Sequence, residues 1–308
     1  MLSVSLGGCV REIGVEPLLE EWALDSFVQQ HPPTKHQPLS ASIAGTWNFA
    51  DGYDASLALG RTERAPSVRE LYANGNNMAT NSYEMGLTQS PGDWLWPEFP
   101  VSFPPSAPDL MEKAESINLT FRKTTGATQF ELGFFHQRID NYIFARLIDQ
   151  DDETGIPHNW LVYVAADAEF TGVDGQISHQ FSPASRVTLF GDYVRAPLTH
   201  EKDNVPRIPP SRLGLRYEWI EGPFSANAEY YRTGAQDRIA SYETVTAGYS
   251  MLNGTLAYRL ALTPRQSAEF YLRGNNLLNE TAYVHTSFVK DQSPLRGRTM
   301  TLGLRYAF

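Results

Sequence analysis

The sequence contains a single cysteine, Cys9, among 308 residues, which excludes an internal disulfide framework and any multi-cysteine metal cluster. No apolar run approaches the roughly 20 residues that a membrane-crossing helix needs, so a helical membrane protein is excluded as well. Positive charge is scarce: 25 Lys and Arg against 35 Asp and Glu leave a formal charge of −10. That balance argues against nucleic acid, whose phosphates require a basic face. Neither a G-x-S-x-G elbow nor a Gly-rich phosphate loop occurs, so the chain reads as a non-enzyme without a cofactor. Leu6 to Cys9 has the form of a lipoprotein cleavage box. Only eight residues precede that cysteine and none is Lys or Arg, so a signal peptide has no room there.

What the chain does contain is alternation. In the closing run, Met300, Leu302, Leu304, Tyr306 and Phe308 fall on one face, and Thr299, Thr301, Gly303, Arg305 and Ala307 on the other, the period of a strand with unlike faces. The same pattern recurs along the chain. A first strand is expected over about Val4 to Ile13, followed by a polar stretch from Gly14 to Gln37. Leu39 to Phe49 and Tyr53 to Leu59 form a hairpin across Asp51 and Gly52, a turn pair suited to a tight connection. Further pairs follow across Thr124 to Gly126, Ser182 to Ala184, Glu221 to Pro223, and Thr263 to Arg265. Between them lie long connections, roughly Arg64 to Met111 and about Arg146 to Ala168.

Together these make about twelve strands in which short turns alternate with long loops, the asymmetry of a transmembrane barrel. Mean hydropathy is only −0.35, which suits a barrel because alternate residues alone meet lipid. The second faces carry Arg212, Arg216 and Glu218, then Asn227, Glu229 and Tyr231, then Asn253, Thr255 and Arg259, then Glu269, Arg273 and Asn275. An Arg or Lys facing lipid at mid-depth costs about 2–4 kcal/mol, so these faces must meet water or a polar filling. A soluble sheet would need a second layer over its apolar side. No helix-period stretch is available to supply one.

Arg61 to Ser67 (RTERAPS) followed by Glu70-Leu71-Tyr72 resembles the mid-barrel signature of TonB-dependent outer-membrane receptors. Asn275 to Asn279 (NNLLN), Pro294 to Arg298 (PLRGR) and the closing Phe308 resemble that family's C-terminal signature. Asn141 to Phe144, Ala166 to Phe170 with Gly172, and Ile208 to Pro210 also match, in family order. The resemblance implies an all-β antiparallel barrel of about 22 strands, of which this chain would supply the C-terminal portion, incompletely closed. It also implies an N-terminal plug, and a signal peptide, lying outside residues 1–308. The implied partners are outer-membrane lipid of a Gram-negative bacterium, a TonB-type energy-coupling complex, and a metal ion or metal chelate such as zinc, a ferric siderophore or haem; the chain would be a monomer. A passive porin and a surface adhesin are the alternatives.

A narrower resemblance, to zinc-uptake receptors, rests on Glu70 to Gly75 running into Met78 to Thr80, Tyr83-Glu84, and His285 to Asp291, with Asn77 standing where a His is expected. Zinc needs three or four convergent donors. The candidates are His31, His36, His158, His200 and His285, all in or near long loops, whereas His136 and His179 belong to strands.

Overall fold

The computed structural model describes residues 2–8, 11–13, 34–88, 110–151 and 158–308. The first part of the chain forms β1 (Leu2–Gly8), β2 (Arg11–Ile13), β3 (Thr34–His36), β4 (Leu39–Ala50), β5 (Tyr53–Arg64), the short helix α1 (Val68–Tyr72), β6 (Asn74–Asn77) and β7 (Ser82–Met85). The remainder forms β8 (Glu112–Lys123), β9 (Thr128–Asp151), β10 (His158–Ser182), β11 (Ser185–Arg195), β12 (Arg212–Glu221), β13 (Phe224–Thr233), β14 (Tyr249–Thr263), β15 (Gln266–Asn275) and β16 (Thr299–Ala307).

A 14-stranded sheet runs in the order β1-β4-β5-β8-β9-β10-β11-β12-β13-β14-β15-β16, with β6 and β7 attached beside this path. Each neighbour along the path is antiparallel. Among the described residues β1 and β16 do not pair with each other, so the wall is open, as the sequence led one to expect. Tight turns close the hairpins at one rim, where Gly52 (φ 71°) and Gly222 (φ 56°) take a left-handed conformation that side chains disfavour. The longer segments 196–211, 234–248 and 276–298 all leave the opposite rim.

Register puts like with like. On one face Ile177, Leu189, Leu215, Tyr230 and Leu252 are successive cross-strand partners, and Leu256, Leu272 and Leu302 form a second such row. Leu302 is 81% exposed and Phe308 94%; among the described residues no second layer covers them. The other face carries ion pairs between neighbouring strands: Arg212–Asp192 at 2.8 Å, Arg216–Glu229 at 2.6 Å and Arg305–Glu269 at 3.1 Å. A water-soluble sheet would bury the first face and wet the second. Here the apolar face is the bare one, while Trp47, Phe49, Tyr53 and Phe130 make a run of ring contacts near the short-turn rim.

The buried core lies instead at the long-loop rim, where β9 and β10 extend well beyond their neighbours. One face of that extension, with Phe144, Val162, Val164 and Ala168, packs against Ala196, Leu198 and Val205. The opposite face packs Ile143, Tyr163 and Ala165 against Ala65, Leu71, Tyr72 and Leu87. The connection expected at about Arg146 to Ala168 is therefore mostly strand. It has lost its alternation because both faces are covered, and a bulge at Asn141 (φ 55°) re-aims it. The long connection after Arg64 likewise contains α1, β6 and β7, and β7 runs parallel to β10 through Ser82↔Asn159 and Met85↔Val162. The single first strand expected to Ile13 is two: β1 pairs with β4, whereas β2 pairs with β3 in a separate sheet. Most of the polar stretch after Gly14 lies outside the described residues.

Candidate functional site

The segment after β5 is fixed by a dense polar network. Ser67 caps α1 by accepting from the Glu70 amide at 3.2 Å, and the Glu70 carboxylate accepts from the Ser67 amide at 2.6 Å, a reciprocal capping box. Arg64 donates to both Glu70 oxygens, at 2.8 and 3.1 Å, and also pairs with Glu112. Burial pushes the Glu70 carboxyl up, but the hydrogen bonds from Arg64 and Ser67 outweigh it and hold the group below the usual carboxylate range. Glu84 behaves alike: burial raises it, and Arg69, Asn77 and Ser82 more than compensate. Arg69 grips Glu84 with a bidentate fork, Nε and Nη2 donating to its two oxygens at 2.7 and 2.5 Å. The Arg64-to-Tyr72 stretch thus ties this loop to the wall, and its charges are spent on one another.

The histidine candidates are placed apart. His31 lies outside the described residues, and His158 begins β10 with its side chain outside them. His36 is buried in the small sheet with Nε2 3.2 Å from Thr34 Oγ1. His200 is exposed and lies 3.3 Å from Asp167. His285 is buried in the 276–298 segment. Among the described residues no group of three or more His, Cys, Asp or Glu is arranged to hold a metal ion. His136 and His179 are strand residues hydrogen-bonded to Thr171 and Thr128, at 2.9 and 2.8 Å.

Around His285, however, segments 196–211, 234–248 and 276–298 meet the tip of β9 and β10. They line a small, open cleft of about 60 Å³, bounded by Arg207, Glu243, His285, Phe288, Lys290 and Asp291, among others. Glu243 is the post that holds it open, accepting from the backbone amides of Arg207 and Ala240, each at 2.9 Å. Arg207 is held at φ 57°, a conformation non-glycine residues take at a cost. Its guanidinium lies 3.9 Å over the Phe288 ring and has no carboxylate partner among the described residues. Lys290 donates to Thr244 O, and to Thr246 Oγ1 at 3.0 Å; Thr246 Oγ1 is in turn 2.9 Å from His285 Nδ1.

His285 is only 3% exposed, yet its Nε2 has no hydrogen-bond partner. Glu243 Oε2, at 3.9 Å, is too far to serve. Burial lowers the affinity of His285, Lys290 and Arg207 for their protons. Such a concentration of desolvated donors marks a functional-site candidate. Sequence reasoning found His285, and Lys290 only within the His285 to Asp291 stretch, but missed Arg207 and Glu243, because they come from separate loops and share no spacing.

The profile of the TonB dependent receptor-like, beta-barrel family matches residues 25–277. The chain belongs to this family. Family members are receptors and transporters, not enzymes. Solved structures agree on the fold. The copper transporter OprC superposes with a TM-score of 0.70 at 16% identity, over 90% of this chain and 40% of that one. The ferric-catecholate import receptor Fiu from E. coli K12 gives 0.58 at 14% identity, over 90% and 35%. The ferric yersiniabactin uptake receptor FyuA from Yersinia pestis gives 0.56 at 14%, over 89% and 38%. This TonB-dependent receptor-like chain therefore spans well under half the length of those structures.

Proposed function

We propose that the chain is the C-terminal portion of the barrel wall of an outer-membrane receptor that imports a metal ion or metal chelate in a Gram-negative bacterium. On this reading residues 1–308 form a single wall segment. The plug, and the segment that engages a TonB-type energy-coupling complex, belong to sequence beyond it. The observation that carries the reading is the family match across residues 25–277 on a sheet whose apolar face is bare and whose longer loops gather at one rim. Lipid is the medium in which such a face is stable, and the loop-bearing rim is then the ligand-facing one.

The similar structures are named for copper, ferric catecholate and ferric yersiniabactin. The substrate class is accordingly left at metal or chelate, with zinc one candidate among several. Uptake of labelled zinc, copper and a ferric chelate, in cells lacking other importers and carrying the complete receptor, tests the reading. Accumulation of one of them that stops when the energy coupler is deleted is the expected result. Ungated leakage of all solutes through stable open pores would instead make the protein a passive porin.

A further inference from the structure

The cleft around His285 gathers donors whose hydrogen-bonding capacity is not used up, and their arrangement decides what they can hold. Lys290 can only donate, so Thr246 Oγ1 accepts from it. The Thr246 hydroxyl proton then has one acceptor among the described residues, His285 Nδ1. With Nδ1 accepting, the ring proton sits on Nε2, the buried atom that has no partner. A protonated Nε2 has no lone pair to offer a metal. It is a donor waiting for an oxygen.

Two more donors line the same cleft. The Arg207 guanidinium, laid on the Phe288 ring, presents a planar fork that no carboxylate contacts directly among the described residues. Lys290 uses two of its three N–H groups on Thr244 and Thr246, leaving the third. Glu243 and Asp291 also line the cleft and act on these donors through space, but among the described residues neither lies within ion-pair distance of Arg207 or Lys290: Glu243 accepts from the Arg207 and Ala240 amides, and Asp291 accepts from Thr244 at 3.4 Å. We propose that this cleft is an anion site which takes a carboxylate of the incoming ligand, forked on Arg207 and touched by His285 Nε2–H and Lys290, and not a site for a bare metal cation. A planar fork matches a carboxylate edge. Ordering Arg207 in a left-handed conformation on an aromatic face places the fork in advance of binding. Burial disfavours the charged forms of Arg207 and Lys290, and an arriving anion relieves exactly that penalty for both.

This inference rests on the reading of the loop-bearing rim as ligand-facing, but its test is separate from transport. Calorimetry on the full chain inserted in lipid vesicles, with citrate as the probe, is expected to show saturable binding. Arg207→Ala should weaken it at least tenfold, and Arg207→Lys, which keeps the charge but loses the fork, several-fold. His285→Gln retains an N–H donor and should keep most of the citrate affinity. Because these loops can rearrange in a variant, the wild-type protein supplies a second measurement: citrate should protect Arg207 from phenylglyoxal in a peptide map. Citrate binding that ignores Arg207, absence of protection, or binding of zinc chloride alone that His285→Gln abolishes would each overturn the proposal. Loss of metal uptake in cells with citrate binding intact would instead count against the transport reading alone.

Discussion

The two faces of β12 make the membrane reading quantitative. Leu215 is 47% exposed on the apolar face, between the partners Leu189 and Tyr230. Its chain neighbour Arg216 points the other way and is paired with Glu229 at 2.6 Å. Trp219 lies four residues nearer the short-turn rim on the same face as Leu215. At about 3.3 Å per residue that is roughly 13 Å along the strand, and a tilt of about 40° turns it into roughly 10 Å of depth. In an apolar belt about 25 Å tall, Leu215 is therefore close to the mid-plane. Leu215→Arg should cost about 2–4 kcal/mol, or about 30- to 900-fold in the folded-to-unfolded ratio.

Asn227→Arg is the control. It lies on the polar face opposite Glu218, and its effect should stay within about 0.5 kcal/mol. Both are measured as urea midpoints of the trypsin-protected sheet in vesicles. At a slope of about 3 kcal/mol per M, Leu215→Arg should lower the midpoint by about 1 M, while Asn227→Arg leaves it in place. Equal shifts for the two, or an arginine tolerated at Leu215, would mean that this face meets water, and the membrane reading would fail.

A Cβ on Gly86 would come within 2.3 Å of the Leu71 carbonyl oxygen, so Gly86→Ala should separate α1 from β7 at a cost of about 1–3 kcal/mol. Limited proteolysis should then open the 65–88 segment and leave β12 to β16 protected. The His285 ring faces Glu243, Lys290, Arg207 and Asp291, and burial keeps its proton affinity below the ordinary value. Below about pH 6.5 the opened loop thus binds more protons than the packed one, and the cluster loses stability as pH falls, by at most about 1.4 kcal/mol per pH unit. Hydrogen exchange of the 276–298 segment, corrected for intrinsic rate, should accelerate between pH 7.5 and 5.5; His285→Gln should flatten the trend. In detergent the edges of β1 and β16, unpaired among the described residues, should recruit other copies and give more than one species, whereas a single heat-modifiable band would argue for a closed barrel.

Legibility followed the number of covered faces. From β11 to β16, and in β4, β5 and β8, one face is apolar and the other polar, so the period-two signal survives and marks strands, turns and register. In the upper part of β9 and β10 it disappears, because Ile143, Phe144 and Ala145 are consecutive and all buried. The short strand β7 has no apolar alternation to reveal it, and its partner is a strand more than seventy residues away. His285 was visible as a residue type near a family-like stretch, but the seven histidines gave no spacing from which its surroundings could be read.

The sequence alone thus determined the all-β antiparallel wall, the bare apolar face, the wet opposite face and the family, since each is written in local alternation or in contiguous motifs. Only the tertiary structure decided that the longer loops fold into a packed rim and that Arg207, Glu243, His285 and Lys290 share one cleft. The physical reason is that alternation records how one strand meets its two environments, whereas a site assembled from separate loops exists only once the wall has set those loops side by side.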